Sequence, residues 1–184
     1  MIRMLRTPRA GNSFPAHTHM YSTRMATPDI SAGDLPAILH ERGFLGVPLE
    51  VNAVGHFEVA AEVNGHAARL VLDTGASHTV LDAPSAERLG LTTTASDDRV
   101  SGVGASDWAT AMTSVSELRL GAVRLHDVTV RTLDLAHVNR ALEARGGTPV
   151  DGAIGGDLLR ACEAVIYYAR ATLYLRQAPP TVAP

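Results

Sequence analysis

The stretch Leu70–Ser77 holds the residue types best suited to chemistry in this chain of 184 residues. It opens with three apolar residues, which is typical of a buried strand, and the apolar run ends at Asp73. A carboxylate at the mouth of a buried strand is costly to desolvate unless its charge is used. Thr74 and Ser77 supply hydroxyl groups, and Gly75 lets the backbone turn tightly beside the acid. We therefore expect this segment to hold the Asp73 carboxyl group rigidly at the floor of a cleft.

A carboxyl group held in this way can serve as one member of an acid–base pair. Hydrolysis of a peptide bond without a metal or a covalent nucleophile needs a general base that activates water and a general acid for the departing nitrogen. Two carboxyl groups about 3 Å apart can fill both roles, because like charges that close cannot both ionise and the pair shares one proton. The chain contains no second Asp-Thr-Gly or Asp-Ser-Gly. The second acid would therefore have to come from an identical copy related by a two-fold axis.

Two segments carry a resemblance to a known family. The loop Asp73–Ser77 resembles the active-site loop of aspartic proteases, and Ala after the glycine is most similar to the retropepsin branch. The segment Asp151–Leu159 resembles the apolar-apolar-glycine loop and following helix that cross beneath the catalytic loop in that family. The resemblance covers roughly residues 55–176. It implies an all-β fold, a closed retropepsin-like β-barrel with short helices, that is active as a two-fold symmetric homodimer and cleaves polypeptides.

Roles for the active-site residues follow from this resemblance. It implies that Asp73 is the catalytic acid, one copy taking a proton from water while the other protonates or polarises the scissile carbonyl. It implies that the Thr74 hydroxyl groups lock the two loops together across the axis. It also implies that Gly75 and Ser77 hydrogen-bond the carboxylates and that Ala76 completes the supporting loop.

The same resemblance assigns the surroundings of the loop. The tip Gly102-Val103-Gly104 is the implied flap that closes over a peptide and excludes water, with Trp108 at its base or in a subsite. Ile154-Gly155 is expected to press against the catalytic loop, where only glycine permits close backbone contact. The final strand, 172–175, is expected to help build a sheet between the two copies. The substrate is expected to be an extended polypeptide bound by strand-like pairing.

Three other interpretations stay open at this point. Asp73-Thr74-Gly75 could be an ordinary connection from a strand to a turn, where these residue types are common. The chain could be a catalytically idle dimerisation or peptide-binding module that keeps the fold. It could also be zymogen-like, with residues 1–50 occupying the cleft or blocking dimerisation.

Composition excludes several classes of function. With 46% hydrophobic residues and only 4% aromatic ones, the core must be built mainly from Val, Leu, Ala and Ile. The net charge of −3 argues against a nucleic-acid partner, which would need a basic surface.

No window approaches the roughly 18 consecutive apolar residues of a membrane span. We expect a soluble, cytoplasmic protein unless a native anchor lies outside this sequence. Cys162 is the single cysteine, which excludes an intrachain disulfide and suits a buried apolar position.

The remaining titratable residues predict no cofactor and no metal. His17-Thr18-His19 could bind zinc, but no carboxylate or cysteine follows at a useful spacing. His78 lies just after the loop and is a candidate modulator of pH dependence. Three other acids favour structural positions: Asp82 as a helix cap, Asp151 in a turn and Asp157 at a helix N-terminus.

The chain divides into three predicted parts. Residues 1–50 are a flexible leader, pro-segment or arm, residues 51–176 the protease domain, and residues 177–184 a disordered tail. Asn64-Gly65 between two alternating runs predicts a tight hairpin. The other predicted elements are a short helix over 35–43, an extended segment over 44–51, a strand over 79–81, a helix over 84–90, short strands over 115–120, 123–125 and 128–133, a helix over 134–145, a helix after 155–156, and a closing hairpin over 164–175.

Overall fold

The computed structural model describes residues 34–102 and 105–176, and the predicted tail and most of the predicted leader lie outside these ranges. Strands predominate within them. The helices are α1 (Leu35–Glu41), α2 (Ala83–Arg88), α3 (Ala136–Glu143) and α4 (Gly156–Ala161). The strands are β1 (Phe44–Pro48), β2 (Glu50–Val51), β3 (Phe57–Val63), β4 (His66–Leu72), β5 (Val80–Asp82), β6 (Thr94–Gly102), β7 (Ala105–Leu120), β8 (Val123–Leu133), β9 (Gly152–Ile154), β10 (Val165–Tyr167) and β11 (Thr172–Arg176), with a 3₁₀ turn over Tyr168–Arg170.

Six strands close into a barrel in the order β3-β4-β9-β5-β8-β7, and β7 pairs back with β3. Two of these pairs, β4–β9 and β5–β8, are parallel, and the others are antiparallel. Closure leaves no free edge on the barrel strands, which satisfies their backbone groups. The prediction of a mostly β, closed barrel with short helices is confirmed.

The barrel interior is filled by aliphatic side chains. The largest fully buried residues are all Leu, Ile or Val, among them Leu70, Leu120 and Ile154. Burying such a side chain contributes roughly 1.5–3 kcal/mol, so a core without aromatic residues at its centre needs many of them. Cys162 is buried in the same cluster. None of the helices in the described ranges is long and apolar enough to cross a membrane.

Part of the predicted arm packs against the rest of the chain. Strand β1 pairs with β11 along its full length, from Phe44 opposite Arg176 to Pro48 opposite Thr172. Val47 is 1% exposed and belongs to the main core. The division of the chain at residues 50 and 176 stays a prediction, but α1 and β1 are ordered elements of the fold.

Local turn chemistry predicts the hairpins well and the strand lengths less well. Asn64 and Gly65 adopt φ values of 49° and 82°, the left-handed pair that a tight hairpin turn requires. The predicted strands over 123–125 and 128–133 are confirmed as strand, but the break between them is wrong, because β8 runs unbroken from Val123 to Leu133. Asp127 takes a φ of 52° inside that strand, and the ladder with β7 continues on both sides.

The helix predictions hold, with one wrong capping assignment. Asp82 stands at the N-cap position of α2, but its side chain makes no capping hydrogen bond there. Its carboxylate instead accepts a hydrogen bond of 2.9 Å from the backbone N–H of Leu135, where the chain enters α3. The acid therefore ties the start of α3 to the end of β5.

Candidate active site

Strand β4 delivers Asp73 to the end of the barrel. Leu70 is 1% exposed and holds the strand in the core, whereas Asp73 is exposed. The last residue of the strand, Leu72, is paired with Ile154 in the parallel neighbour β9. The backbone N–H of Asp73 then donates to the carbonyl of Ile154 at 3.0 Å. The acid is thus fixed by its backbone and open to solvent at its side chain.

The Asp73 carboxylate is oriented by its own loop. Its Oδ1 accepts hydrogen bonds from the backbone N–H groups of Gly75, at 2.9 Å, and Ala76, at 3.2 Å. A Cβ at Gly75 would lie 3.3 Å from Oδ1, so a larger residue would crowd this turn. Oδ2 accepts no hydrogen bond from the residues that the structure describes. One oxygen is therefore held and the other is available to a reacting molecule.

The loop after Asp73 rests on the segment Ile154–Asp157. Ile154 is fully buried, and a Cβ at Gly155 would lie 2.3 Å from the carbonyl carbon of His78. Real side chains do not approach backbone this closely, so only glycine fits. Two backbone bonds continue the contact: Gly156 N–H to Ala76 O at 2.8 Å and Asp157 N–H to Ser77 O at 3.1 Å.

Sequence reasoning missed one polar contact below the loop. The Asp157 carboxylate accepts hydrogen bonds from the backbone N–H of Thr79, at 2.8 and 2.9 Å, and from its hydroxyl group, at 2.8 Å. Thr79 is 2% exposed, and its Oγ1 accepts a hydrogen bond from Gly155 N–H at 3.1 Å. The helix-start position of Asp157 was predictable, but no local pattern indicated a partner 78 residues away.

The other predicted loop residues, Thr74 and Ser77, differ in their surroundings and hydrogen bonds. Thr74 is exposed beside it, on the lining of a cavity of about 380 Å³. Ser77 and His78 are exposed. Within the described contacts, Asp73 accepts its second loop hydrogen bond from Ala76 and not from the predicted Ser77. The carbonyl oxygen of Ser77 accepts a hydrogen bond from Asp157 N–H. The rest of the cavity is lined by Gly156, Leu159, Arg160, Glu163, Ala164 and Ile166.

The predicted flap coincides with the hairpin of β6 and β7. Gly102 pairs with Ala105 at its end, and Trp108 pairs with Val100 further down. The predicted tip residues Val103 and Gly104, and the side chain of Trp108, lie outside what the structure describes.

The remaining acids of the neighbourhood are structural. Asp151 accepts hydrogen bonds from Arg69 N–H at 2.8 Å, from the Ser85 hydroxyl at 2.8 Å and from Arg88 Nη2 at 2.7 Å. These contacts join β4 and α2, and none of them involves residues 73–79. In the described part of the chain, no three His, Cys, Asp or Glu side chains are grouped to hold a metal ion.

Comparison with known proteins places this arrangement in context. A family model described as aspartyl protease matches residues 59–158, more than half of the chain. A search of curated proteins gave no match.

Solved structures with a similar course of the chain include three proteases or protease-like domains. A retropepsin-like aspartic protease from Rickettsia conorii is 18% identical, with a TM-score of 0.47 over 72% of this chain and 88% of the other. EIAV protease in complex with the inhibitor HBY-793 is 20% identical, with a TM-score of 0.46 over 60% and 90%. The retroviral protease-like domain of Ddi1 from Leishmania major is 15% identical, with a TM-score of 0.43 over 68% and 96%.

Proposed function

Because the chain belongs to the aspartyl protease family, we propose that it is an aspartic endopeptidase in which Asp73 is the catalytic acid. The observation that carries this proposal is the state of the Asp73 carboxylate. Asp73 is exposed at the end of a barrel strand; the amides of Gly75 and Ala76 hold its Oδ1, and Oδ2 accepts no hydrogen bond from the described residues. A carboxylate oriented in this way can accept a proton from a water molecule beside it.

The second acid of the reaction comes from a second copy of the chain. Two Asp73 carboxyl groups facing each other across a two-fold axis, about 3 Å apart, share one proton. The ionised one takes a proton from the attacking water, while the protonated one donates to the scissile carbonyl. The product of this step is a gem-diol that has no covalent bond to the enzyme. It collapses to the two products when the leaving nitrogen is protonated. The Thr74 hydroxyl groups join the two loops across the axis, and Ser77 is exposed on the same loop.

The substrate is an extended polypeptide. Its backbone would pair with strands of the cleft, and the hairpin around Gly102, Val103 and Gly104 would close over it, with Trp108 near the base. Ile154 and Gly155 support the catalytic loop from beneath. A protein of this kind needs no cofactor, because the carboxyl pair supplies both acid and base.

The test is a mass-resolved digest of a peptide library between pH 3 and 7, at several protein concentrations. We expect Asp73→Asn to reduce cleavage by at least about 10²-fold, since it removes one acid–base group from each copy. Asp134→Asn is the matched control, because Asp134 is an exposed acid at the start of α3 that binds Ala136 N–H. Cleavage by Asp73→Asn at the wild-type rate would refute the proposal.

The idle binding module is the rival interpretation. It predicts that a dimer verified by sedimentation cuts no peptide in the library anywhere in this pH range. Self-trimming of the full chain at mildly acidic pH, followed by mass spectrometry, would instead indicate that the N-terminal segment is a removable inhibitor.

A further inference from the structure

The Asp157 carboxylate is the centre of a hydrogen-bond cluster below the catalytic loop. Three of its four hydrogen bonds come from Thr79, and the fourth comes from Leu158 N–H at 2.7 Å. Asp157 lies in the first turn of α4, whose N-cap is Gly155, and the N-cap position has no side-chain capping hydrogen bond. Hydrogen bonds to an ionised acceptor are short and strong, and burial of Thr79 to 2% exposure removes competing water. Most of the described hydrogen bonds of the Asp157 carboxylate therefore go to Thr79 in the loop, and only one goes to its own helix.

The Asp157–Thr79 contact differs in kind from the other links between the two segments. Three of those links are backbone hydrogen bonds: Asp73 N–H to Ile154 O (3.0 Å), Gly156 N–H to Ala76 O (2.8 Å) and Asp157 N–H to Ser77 O (3.1 Å). A fourth runs from Gly155 N–H to the Thr79 hydroxyl oxygen at 3.1 Å. Among the described contacts, the carboxylate of Asp157 is the side chain that reaches the loop from below. It holds the end of the loop that enters β5, while the bond to Ile154 holds the end that leaves β4.

We propose that Asp157 is a positioning residue for catalysis, which acts through Thr79 to set where Asp73 stands. This inference rests on the proposed function. Two carboxyl groups share a proton only when their separation is held near about 3 Å, and a misplacement of about 1 Å can cost on the order of 10²-fold in rate. The amides of Gly75 and Ala76 that orient Asp73 belong to the same loop, so a shift at Thr79 moves them as well.

The experiment compares the full-length variants Asp157→Ala, Asp157→Asn, Thr79→Ser and Thr79→Val at concentrations that saturate dimer formation. We expect Asp157→Ala to lower kcat by about 10- to 100-fold with KM changed less than about threefold. Its bell-shaped pH profile should narrow, because carboxyl groups that move apart interact less. Asp157→Asn retains one acceptor oxygen, so its kcat should fall less than that of Asp157→Ala. Thr79→Ser retains the hydroxyl group, so its kcat should fall less than that of Thr79→Val.

Asp151→Ala is the matched control for a purely structural effect. Asp151 is also half-buried and also binds one backbone N–H and one hydroxyl group, but makes no hydrogen bond to residues 73–79. We expect this variant to lower the melting temperature and to keep the wild-type kcat and pH profile. If Asp157→Asn and Asp157→Ala also have a lower melting temperature but an unchanged kcat and pH profile, the acid is only structural and the proposal is wrong.

Hydrogen exchange of the backbone amides of residues 73–79 provides a readout that needs no activity. We expect exchange there to accelerate by at least about tenfold in Asp157→Ala and to stay at the wild-type rate in Asp151→Ala. Unchanged exchange in Asp157→Ala would overturn the positioning role. Failure of the wild-type chain to cleave any peptide would refute the proposed function instead, and exchange would still decide whether Asp157 holds the loop.

Discussion

Two glycines let β9 and the start of α4 pack against backbone: Gly152 against β5 and Gly155 against the 73–79 loop. A Cβ at Gly152 would lie 2.2 Å from Val80 O, and a Cβ at Gly155 would lie 2.3 Å from the carbonyl carbon of His78. Gly155 has a φ of −101°, which any residue can adopt. The requirement for glycine is therefore steric and not conformational. It sets how closely β9 and the start of α4 approach the loop that carries Asp73.

Gly155→Ala tests this crossing. Because backbone lies on the obstructed side, the new methyl group must push the loop and α4 apart, and we expect a loss of at least about 1–3 kcal/mol in the free energy of unfolding. Denaturant titration measures it. Gly46→Ala is the control, since its Cβ would meet only side-chain atoms, 3.2 Å from Tyr174 Cε1 and 3.4 Å from Thr172 Cγ2. Equal losses for the two variants would contradict the steric argument.

The candidate site is only partly predictable from the sequence. Asp73 and the Gly155 contact are recognisable because each lies in a short motif with its own chemistry. The Asp157–Thr79 pair is not, because its two residues are 78 positions apart and each has an ordinary local explanation. Asp82 shows the same difficulty, since its position suggests a cap for α2 while its carboxylate binds Leu135 N–H. Local rules identify which groups are polar, but tertiary packing chooses their partners.

At the scale of elements, the small sheet β1-β11-β10 joins the two ends of the described chain. Strand β11 lies in its middle, so both of its edges are used within the chain. This refines the expectation that residues 172–175 help build a sheet between copies. Any strand pairing with a second copy through this sheet would have to use the outer edge of β1 or β10.

Substitution of Val47 tests whether β1 is part of the folded unit. Val47 is 1% exposed and lies opposite Leu173, so Val47→Ala removes two buried methyl groups and leaves a cavity. We expect a loss of about 1–3 kcal/mol in the free energy of unfolding. Val51→Ala is the matched control: Val51 is 62% exposed, and its loss should stay within about 0.5 kcal/mol. A Val47→Ala variant as stable as Val51→Ala would mean that β1 is a detachable arm.

Turns and hairpins with a local sequence signal are predictable, whereas the pairing of strands far apart in the sequence is not. The Asn64-Gly65 turn fixes the β3–β4 hairpin because both residues tolerate a positive φ. The sequence does not predict that β8 continues through Asp127. A polar residue between two apolar runs is typical of a turn, but the ladder with β7 continues on both sides of Asp127. Closure of the barrel through β3 and β7 depends on pairing Ala61 with Leu120, which no local pattern specifies.

At the scale of the whole molecule, Asp73 is exposed at one end of the barrel, directly after β4. The lining of the cavity beside the loop includes Thr74, together with apolar Leu159 and Ile166. Because Thr74 follows Asp73 directly, a second copy brought to Asp73 would lie near this cavity. The proposed dimer would complete the acid pair, so association and activity would be coupled.

Mixing wild-type and Asp73→Asn chains tests this coupling directly. If active sites are shared between chains, random exchange of equal amounts leaves about a quarter of the dimers with two Asp73 residues. The activity of a fixed amount of wild-type chain should then fall to about half when an equal amount of Asp73→Asn is added, measured with peptide in excess. An equal amount of Asp151→Ala chain, which keeps Asp73, is the control and should not depress the wild-type contribution. A self-sufficient monomer predicts no decrease with either addition, so undiminished activity after verified subunit exchange would exclude a site built from two chains.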